Sequence, residues 1–398
     1  MAGRDERGGT GLALAAGGLL ALAVAMGIGR FLYTPALPMM LAGTTLTPAG
    51  GGYVAAANFA GYLAGALLAG AGRPARQPRV WLLAALAISA ATTAGMAATE
   101  QPGIWAALRF AGGAASACVL VTASAIVLRR LAATGQSRLG AVHFAGVGTG
   151  IALSAVLAAP AVTGDRDWQT LWLLGGAATA AALPLVARLV PGEPPQSAAA
   201  AGRGQAPGMA LLVGAYGCLG FGYVVTATFL VAILRESDAG RAAETWVWLA
   251  VGLSAIPSVA IWAWAGRRIG AIRAFALAML VEAAGVALSA LTEGVVALGI
   301  AAVALGGTFM GLTALGLTEA ARRAPGAGPR IMALMTAAFG TGQMAGPALA
   351  GWLREATGSY ALPSLLAAGV LVVGAALVLP LREDRRVTVR RRPEASDR

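Results

Sequence analysis

Lysine is missing from this 398-residue chain: all 29 basic residues are arginine. A Gly-x-x-x-x-Gly-Lys-[Ser/Thr] phosphate loop is therefore impossible, and an ATPase built on one is excluded. Histidine is nearly missing too. His143 stands alone, without the His and carboxylate cluster that a metal-dependent enzyme needs. The two cysteines, Cys118 and Cys218, fit no CxxC or Cys/His spacing and fall inside apolar stretches, which argues against a disulfide framework and a zinc site. Charge is scarce. Only 12% of the residues are Asp, Glu, Lys or Arg, against about 25% in a soluble chain. With 58% hydrophobic residues and a mean hydropathy of +0.74, the composition is that of a membrane protein. No cleavable signal peptide is evident either: the N-terminal apolar run is too long and lacks a small-residue cleavage site, so the first span serves as its own insertion signal.

What fills the chain is a series of apolar stretches, at 12–41, 51–71, 80–98, 103–128, 139–161, 168–187, 209–234, 245–265, 271–291, 294–318, 330–353 and 361–381. Each reaches or approaches the roughly 20 helical residues that cross a hydrocarbon core. Arginines occupy every second gap between them. Arg73, Arg76 and Arg79 follow the second stretch, Arg129, Arg130 and Arg138 the fourth, and Arg188 and Arg203 the sixth. Arg267, Arg268 and Arg273 follow the eighth, Arg322, Arg323 and Arg330 the tenth, and six more lie in the tail from Arg382 to Arg392. Cationic loops remain in the cytoplasm, so the pattern sets spans and orientation together: about twelve helices, with both termini inside. The formal charge of +12 is then a topology signal suited to an anionic inner leaflet, and nucleic acid is not a partner.

The chain divides near its middle. Residues 191–208, rich in Pro, Gly and Ala, have linker chemistry. They separate a first half (1–190) from a second (209–381), followed by a basic cytoplasmic tail (382–398). The halves look alike. Gly27-Ile28-Gly29 matches Gly220-Phe221-Gly222, Gly112-Gly113 matches Gly306-Gly307, and Gly146-x-Gly148 matches Gly340-x-Gly342, all at nearly one offset. A parallel repeat of six helices implies a pseudo-two-fold axis along the membrane normal. Gly61/Gly65, Gly146/Gly150 and Gly342/Gly346 have the spacing that lets helix backbones meet closely in lipid.

With these features the chain resembles the major facilitator superfamily over essentially its whole length. Arg109-x-x-x-Gly113 is similar to a motif of that superfamily's fourth helix, and Gly-Arg-Arg-Ile-Gly at 266–270 to its loop motif after helix eight. The loop Gly72-Arg-Pro-Ala-Arg76 lacks the Asp of that motif. More narrowly, Gly-Ile-Gly-Arg-Phe-Leu-Tyr-Thr-Pro at 27–35, Phe-Gly-Tyr at 221–223 and Phe-Gly-Thr-Gly-Gln-Met-Ala-Gly-Pro at 339–347 resemble the YbfB/YjiJ-type branch. The resemblance implies an all-α integral membrane protein with two pseudo-symmetric six-helix bundles, the major facilitator fold, in a bacterial inner membrane.

Chemistry must come from the few polar groups inside the spans, where burial is expensive. Arg30 is the sharpest of them: no acid lies within the first six spans to neutralise it. Tyr33 and Thr34 follow at i+3 and i+4. The guanidinium fork suits a carboxylate or phosphate; the bland alternative is an arginine snorkelling to the interface. Asn58, Tyr223, Thr226, Trp248 and Gln343 sit on helices expected to line a central cavity and join Arg30 as substrate ligands, unless they are merely satisfied between helices. Arg109 is a coupling residue by resemblance. His143 is either a proton carrier or a packing histidine. Glu282, halfway along the ninth span, is a costly carboxylate and a third coupling candidate, although the resemblance puts that helix at the periphery. Trp105, Trp168, Trp172 and Trp352 read as interfacial anchors.

These readings converge on a monomeric secondary active transporter of a small organic solute, leaning toward an organic anion. It works by alternating access, with protons as coupling ion and lipid as surroundings, and needs no cofactor or metal. It is not an enzyme. An exporter of hydrophobic drugs or metabolites is the alternative, and a channel differs in showing single-channel conductance. Single cysteines placed in 129–138 and 188–208 are expected to resist an impermeant reagent in right-side-out vesicles; labelling of either loop from outside overturns the orientation.

Overall fold

A computed structural model describes residues 2–69, 76–162, 167–192, 208–236, 242–292, 294–324 and 328–381. Most of the linker (193–207), the tail (382–398) and the loop at 70–75 lie outside the described residues. Helix is the only regular structure among those described, as lipid demands: with no water to serve backbone groups, each span must satisfy its own. The first span consists of Ala2–Leu22, a π-helical turn Ala23–Ile28 and Tyr33–Gly43. The second to sixth spans are Pro48–Ala69, Pro78–Gly95, Pro102–Ala133, Gly140–Val162 and Trp168–Leu189. The seventh to twelfth are Met209–Glu236, Ala242–Ile269, Ala271–Leu291, Val295–Arg323, Gly328–Thr357 and Ala361–Val378. All but the eleventh meet the length and apolar composition of a membrane crossing. That helix has 30 residues, with Thr336, Thr341 and Gln343 among its apolar ones.

The span boundaries have local causes. Pro78 and Pro102 open their helices, where a missing N–H costs nothing. Asp167 caps the sixth span by accepting from the Thr170 N–H at 2.7 Å. Gly270, at φ 95°, makes the one-residue corner between the eighth and ninth spans that a side chain would strain.

Packing repeats between the two sets of six. The fifth span lies on the first, the fourth on the second and third, and the sixth on the first and third. Likewise the eleventh lies on the seventh, the tenth on the eighth and ninth, and the twelfth on the seventh and ninth. Across the sets, the second span meets the eleventh, the fifth meets the eighth, and Tyr33–Gly43 meets the seventh. Glycine makes these crossings possible. A Cβ at Gly61 or Gly65 would overlap backbone of Phe110 or Ala114, and one at Gly146 or Gly150 would overlap backbone of Leu19 or Ala23. Gly342 and Gly346 stand against the seventh span in the same way. Between the sets, Gly52 faces the Pro347 carbonyl, Gly351 the Pro48 carbonyl, and Gly252 the backbone of Ala152. Side chains there would hold the helices apart, and lipid offers no hydrophobic drive to compensate.

The tryptophans correct an expectation. Trp105 and Trp172 are fully buried and Trp168 nearly so, with Trp105 edge-on to Trp168 at 5.5 Å and its Nε1 donating to the Met96 carbonyl at 3.0 Å. They pack spans four and six together and do not anchor at the interface; Trp246, Trp264 and Trp352 are the exposed ones. A wide aromatic ring near a span end serves packing as readily as anchoring, and sequence position does not separate the two.

Candidate functional site

The first span is interrupted where the polar residues lie. At Ala23–Ile28 the ladder widens to i→i−5 bonds, Gly29 N–H to Val24 O at 2.8 Å and Phe31 N–H to Met26 O at 3.3 Å. Pro35 has no N–H for the Phe31 carbonyl, and the Thr34 N–H bonds that oxygen instead, at 3.2 Å. The Arg30 carbonyl, to which Thr34 would donate in an unbroken helix, turns elsewhere. Arg109 of the fourth span collects it: its two terminal nitrogens donate to the Gly29 and Arg30 carbonyls, each at 2.8 Å. The Arg109 side chain is buried, with the Tyr33 ring 5.0 Å and the Trp172 ring 5.8 Å from its Cζ. Asn58 steadies the fourth span from the second by donating Nδ2 to the Arg109 carbonyl at 2.8 Å. Arg109 thus holds the broken backbone in place.

That break aims Arg30 at the meeting of the two sets. The residue is only 4% exposed. Its Cζ lies 4.6 Å from the Phe59 ring, 4.3 Å from Tyr62 and 5.4 Å from Phe31, all in its own half. From the other half, the Tyr223 hydroxyl accepts from Nη2 at 3.3 Å, and Gln343 Nε2 donates to the same hydroxyl. Cation–π contacts contribute about 0.5–2 kcal/mol each, enough together to offset the roughly 2.5–3.5 kcal/mol cost of inserting an arginine at mid-membrane. Hydrogen bonding is less complete. Arg30 Nε, Gln343 Oε1, Asn58 Oδ1 and Thr226 Oγ1 are buried without partners among the described residues.

The contact pairs have a geometric meaning. Arg30 and Tyr223 are 193 residues apart, and so are Thr34 and Ala227, whose carbonyl accepts from Thr34 Oγ1 at 2.5 Å. Gly27 and Gly220 are related by that same offset. Equivalent residues of two repeats touch each other only next to the axis that relates them, so Arg30 stands on the pseudo-two-fold axis.

The remaining candidates scatter around this centre. The Tyr33 hydroxyl donates to the Gly51 carbonyl at 2.8 Å while its ring faces Arg109. Trp248 reaches across the sets, its Nε1 donating to Ser154 Oγ at 2.9 Å. His143 is fully buried, with Nε2 2.9 Å from Ser124 Oγ and its ring against Gly18. It belongs to the packing of spans one, four and five and does not touch Arg30's partners. Glu282 is also fully buried, and neither carboxylate oxygen has a hydrogen bond among the described residues; Thr308, beside it, gives its own proton to the Ala304 carbonyl at 2.6 Å. Glu319 pairs with both Arg322 and Arg323. Sequence reasoning missed rings that frame the site: Phe31, Phe59, Phe309 and Phe339.

The fold matches crystal structures of the nucleoside transporter NupG. One, a point mutant, superposes with a TM-score of 0.74 at 16% identity over 93% of this chain and 100% of that one; a second gives 0.70 at 16% identity over 93% and 98%. At that identity the likeness is one of fold. No curated protein matches the chain. Two repeated six-helix sets enclosing a buried polar site on their axis define a multi-pass membrane transporter of the major facilitator fold. Within that class the chain belongs to the family described as "Uncharacterised MFS-type transporter YbfB", whose model matches residues 22–379.

Replacing Arg109 by Lys keeps the charge but leaves at least one of the two carbonyls without its donor, a loss of about 1.5–3 kcal/mol for a hydrogen bond to a charged group. Thermal denaturation of the purified variant in detergent is expected to show a clearly lower midpoint. An unchanged midpoint means that the clamp carries no stability.

Proposed function

We propose that the chain moves a small organic anion across a bacterial inner membrane by alternating access, as a monomer, with protons as the coupling ion. The carrying observation is Arg30: a permanently charged fork, buried on the axis, with no ion pair to a carboxylate among the described residues. Other charges buried in the spans, Glu282 excepted, have partners among the described residues. Arg235 pairs with Glu244 at 2.5 Å, Arg354 with Glu236 at 2.8 Å, and Glu319 with two arginines. A substrate carboxylate would supply what Arg30 lacks.

The reading takes residues 1–190 and 209–381 as the moving bodies and 191–208 as their linker. Thr34 against Ala227, Gly52 against Pro347, and the Ala49 N–H donating to Glu355 at 3.2 Å close one end of the bundle. At the other end, Ala2–Leu22 packs on the fourth, fifth and sixth spans of its own set. The arginine pattern puts the closed end outside.

Glu282 is the mirror case of Arg30, an acid within the spans with no cation among the described residues. An ionised carboxylate buried without a partner is costly, so in this reading Glu282 carries the coupling proton. His143, closed off by Ser124 and Gly18, supports a packing role better than proton transfer. The ring-rich surroundings of Arg30 favour a second reading, export of hydrophobic drugs or metabolites.

Substrate affinity of the wild type, Arg30→Lys and Arg30→Gln separates the two. Anion binding is expected to weaken in the lysine variant, which loses the fork, and nearly to vanish in the glutamine variant. Equal affinities in all three, or preference for a neutral or cationic compound, would falsify the anion reading. Glu282→Gln is expected to abolish uphill uptake driven by a proton gradient while sparing exchange of substrate for substrate; uphill uptake that survives removes Glu282 from coupling.

A further inference from the structure

We infer that the site selects a planar aromatic carboxylate. This rests on the anion reading above and narrows it. The evidence is the shape and chemistry of the walls. On one side the guanidinium lies against the Phe59 and Tyr62 rings. On the other, three spans of the second half contribute a stack: the Tyr223 ring is parallel to Phe309 (5.6 Å, 5°) and to Phe339 (5.6 Å, 10°). Rings from both halves therefore adjoin Arg30, a buried cation with no carboxylate partner among the described residues.

Each part of the substrate follows from a cost. A neutral ring would leave the Arg30 charge uncompensated and its Nε unpaired. A short hydroxy acid would satisfy Arg30 but gain nothing from the rings that adjoin it. An organic cation would meet like charge. A carboxylate on a flat ring answers both demands: its oxygens take Arg30 Nε and the nitrogen now held loosely by Tyr223, while its ring slides between the two walls as they part. A hydroxyl or amino substituent would meet the unpaired Gln343 Oε1.

The test uses the full-length protein in detergent, titrated with benzoate, cyclohexanecarboxylate, benzamide and benzylamine and read by thermal shift. Benzoate is expected to bind about tenfold more tightly than cyclohexanecarboxylate, the size of one good aromatic contact beyond burial. Benzamide and benzylamine are expected not to bind. Phe309→Leu is expected to bring the ratio of benzoate to cyclohexanecarboxylate affinity down to about one; the ratio within one protein is insensitive to overall stability, and Phe339→Leu repeats the test should the first variant not fold. Equal affinity for the two carboxylates overturns the aromatic class and leaves the anion reading standing. Tighter binding of benzamide or benzylamine overturns both. No binding of benzoate up to its solubility limit also overturns the aromatic class.

Discussion

The grip of Arg109 on the Gly29 and Arg30 carbonyls is the constraint on which the centre of this protein depends. A broken helix in lipid exposes carbonyls that water cannot reach, and each is costly until a donor is found. One fork from a neighbouring helix answers two of them at 2.8 Å. The break therefore persists, and with it the outward swing that puts Arg30 on the axis. The second half shows what happens without these parts. At the offset of 193 that relates the halves, Pro35 corresponds to Thr228, so the seventh span keeps its N–H groups. That span runs unbroken from Met209 to Glu236.

Because the two halves differ where they touch, the site is chemically lopsided. The axis pair is arginine on one side and tyrosine on the other, and their hydrogen bond at 3.3 Å is at the long end of the range. The first half contributes the charge and the rings that shield it. The second contributes neutral hydroxyl and amide groups and a stack of rings. A symmetric scaffold thus holds an asymmetric site, and the asymmetry resides in a handful of positions rather than in the helix packing.

How much of this was legible varies residue by residue. The spans follow from apolar length, and the helix crossings follow from Gly61/Gly65, Gly146/Gly150 and Gly342/Gly346, because only glycine permits that backbone approach. Arg30 stands out because an arginine deep in an apolar stretch needs a reason, and the repeat that pairs Gly27 with Gly220 already pairs Arg30 with Tyr223. The role of Arg109 was hidden: its acceptors are backbone carbonyls, which have no sequence signature, and the π turn that frees them shows only as two glycines and a later proline. Phe59, Phe309 and Phe339 were hidden for another reason. In a chain dissolved in lipid, a phenylalanine facing the centre and one facing the bilayer have the same neighbours in sequence. The same ambiguity misplaced Trp105, Trp168 and Trp172.

Under the alternating access proposed above, the contacts that would survive follow from where their partners sit. The Arg109 clamp joins spans one and four of the same half, and Phe59 and Tyr62 belong with it, so the cation travels with its backbone break and two of its rings. Arg30 to Tyr223, Thr34 to Ala227 and Ala49 to Glu355 each join different halves, and opening the closed end requires breaking all three. The seams at Gly52, Gly351 and Gly252 bury no side chain of their own, so sliding along them disturbs little packing. Once Tyr223 withdraws, Arg30 keeps its ring contacts but loses a hydrogen bond in a setting where water is excluded. Under the proposed function, an anion that takes the place of the Tyr223 hydroxyl would offset that loss and ease opening. If Arg30 recognises the substrate as proposed, the same group also joins the two halves through its bond to Tyr223.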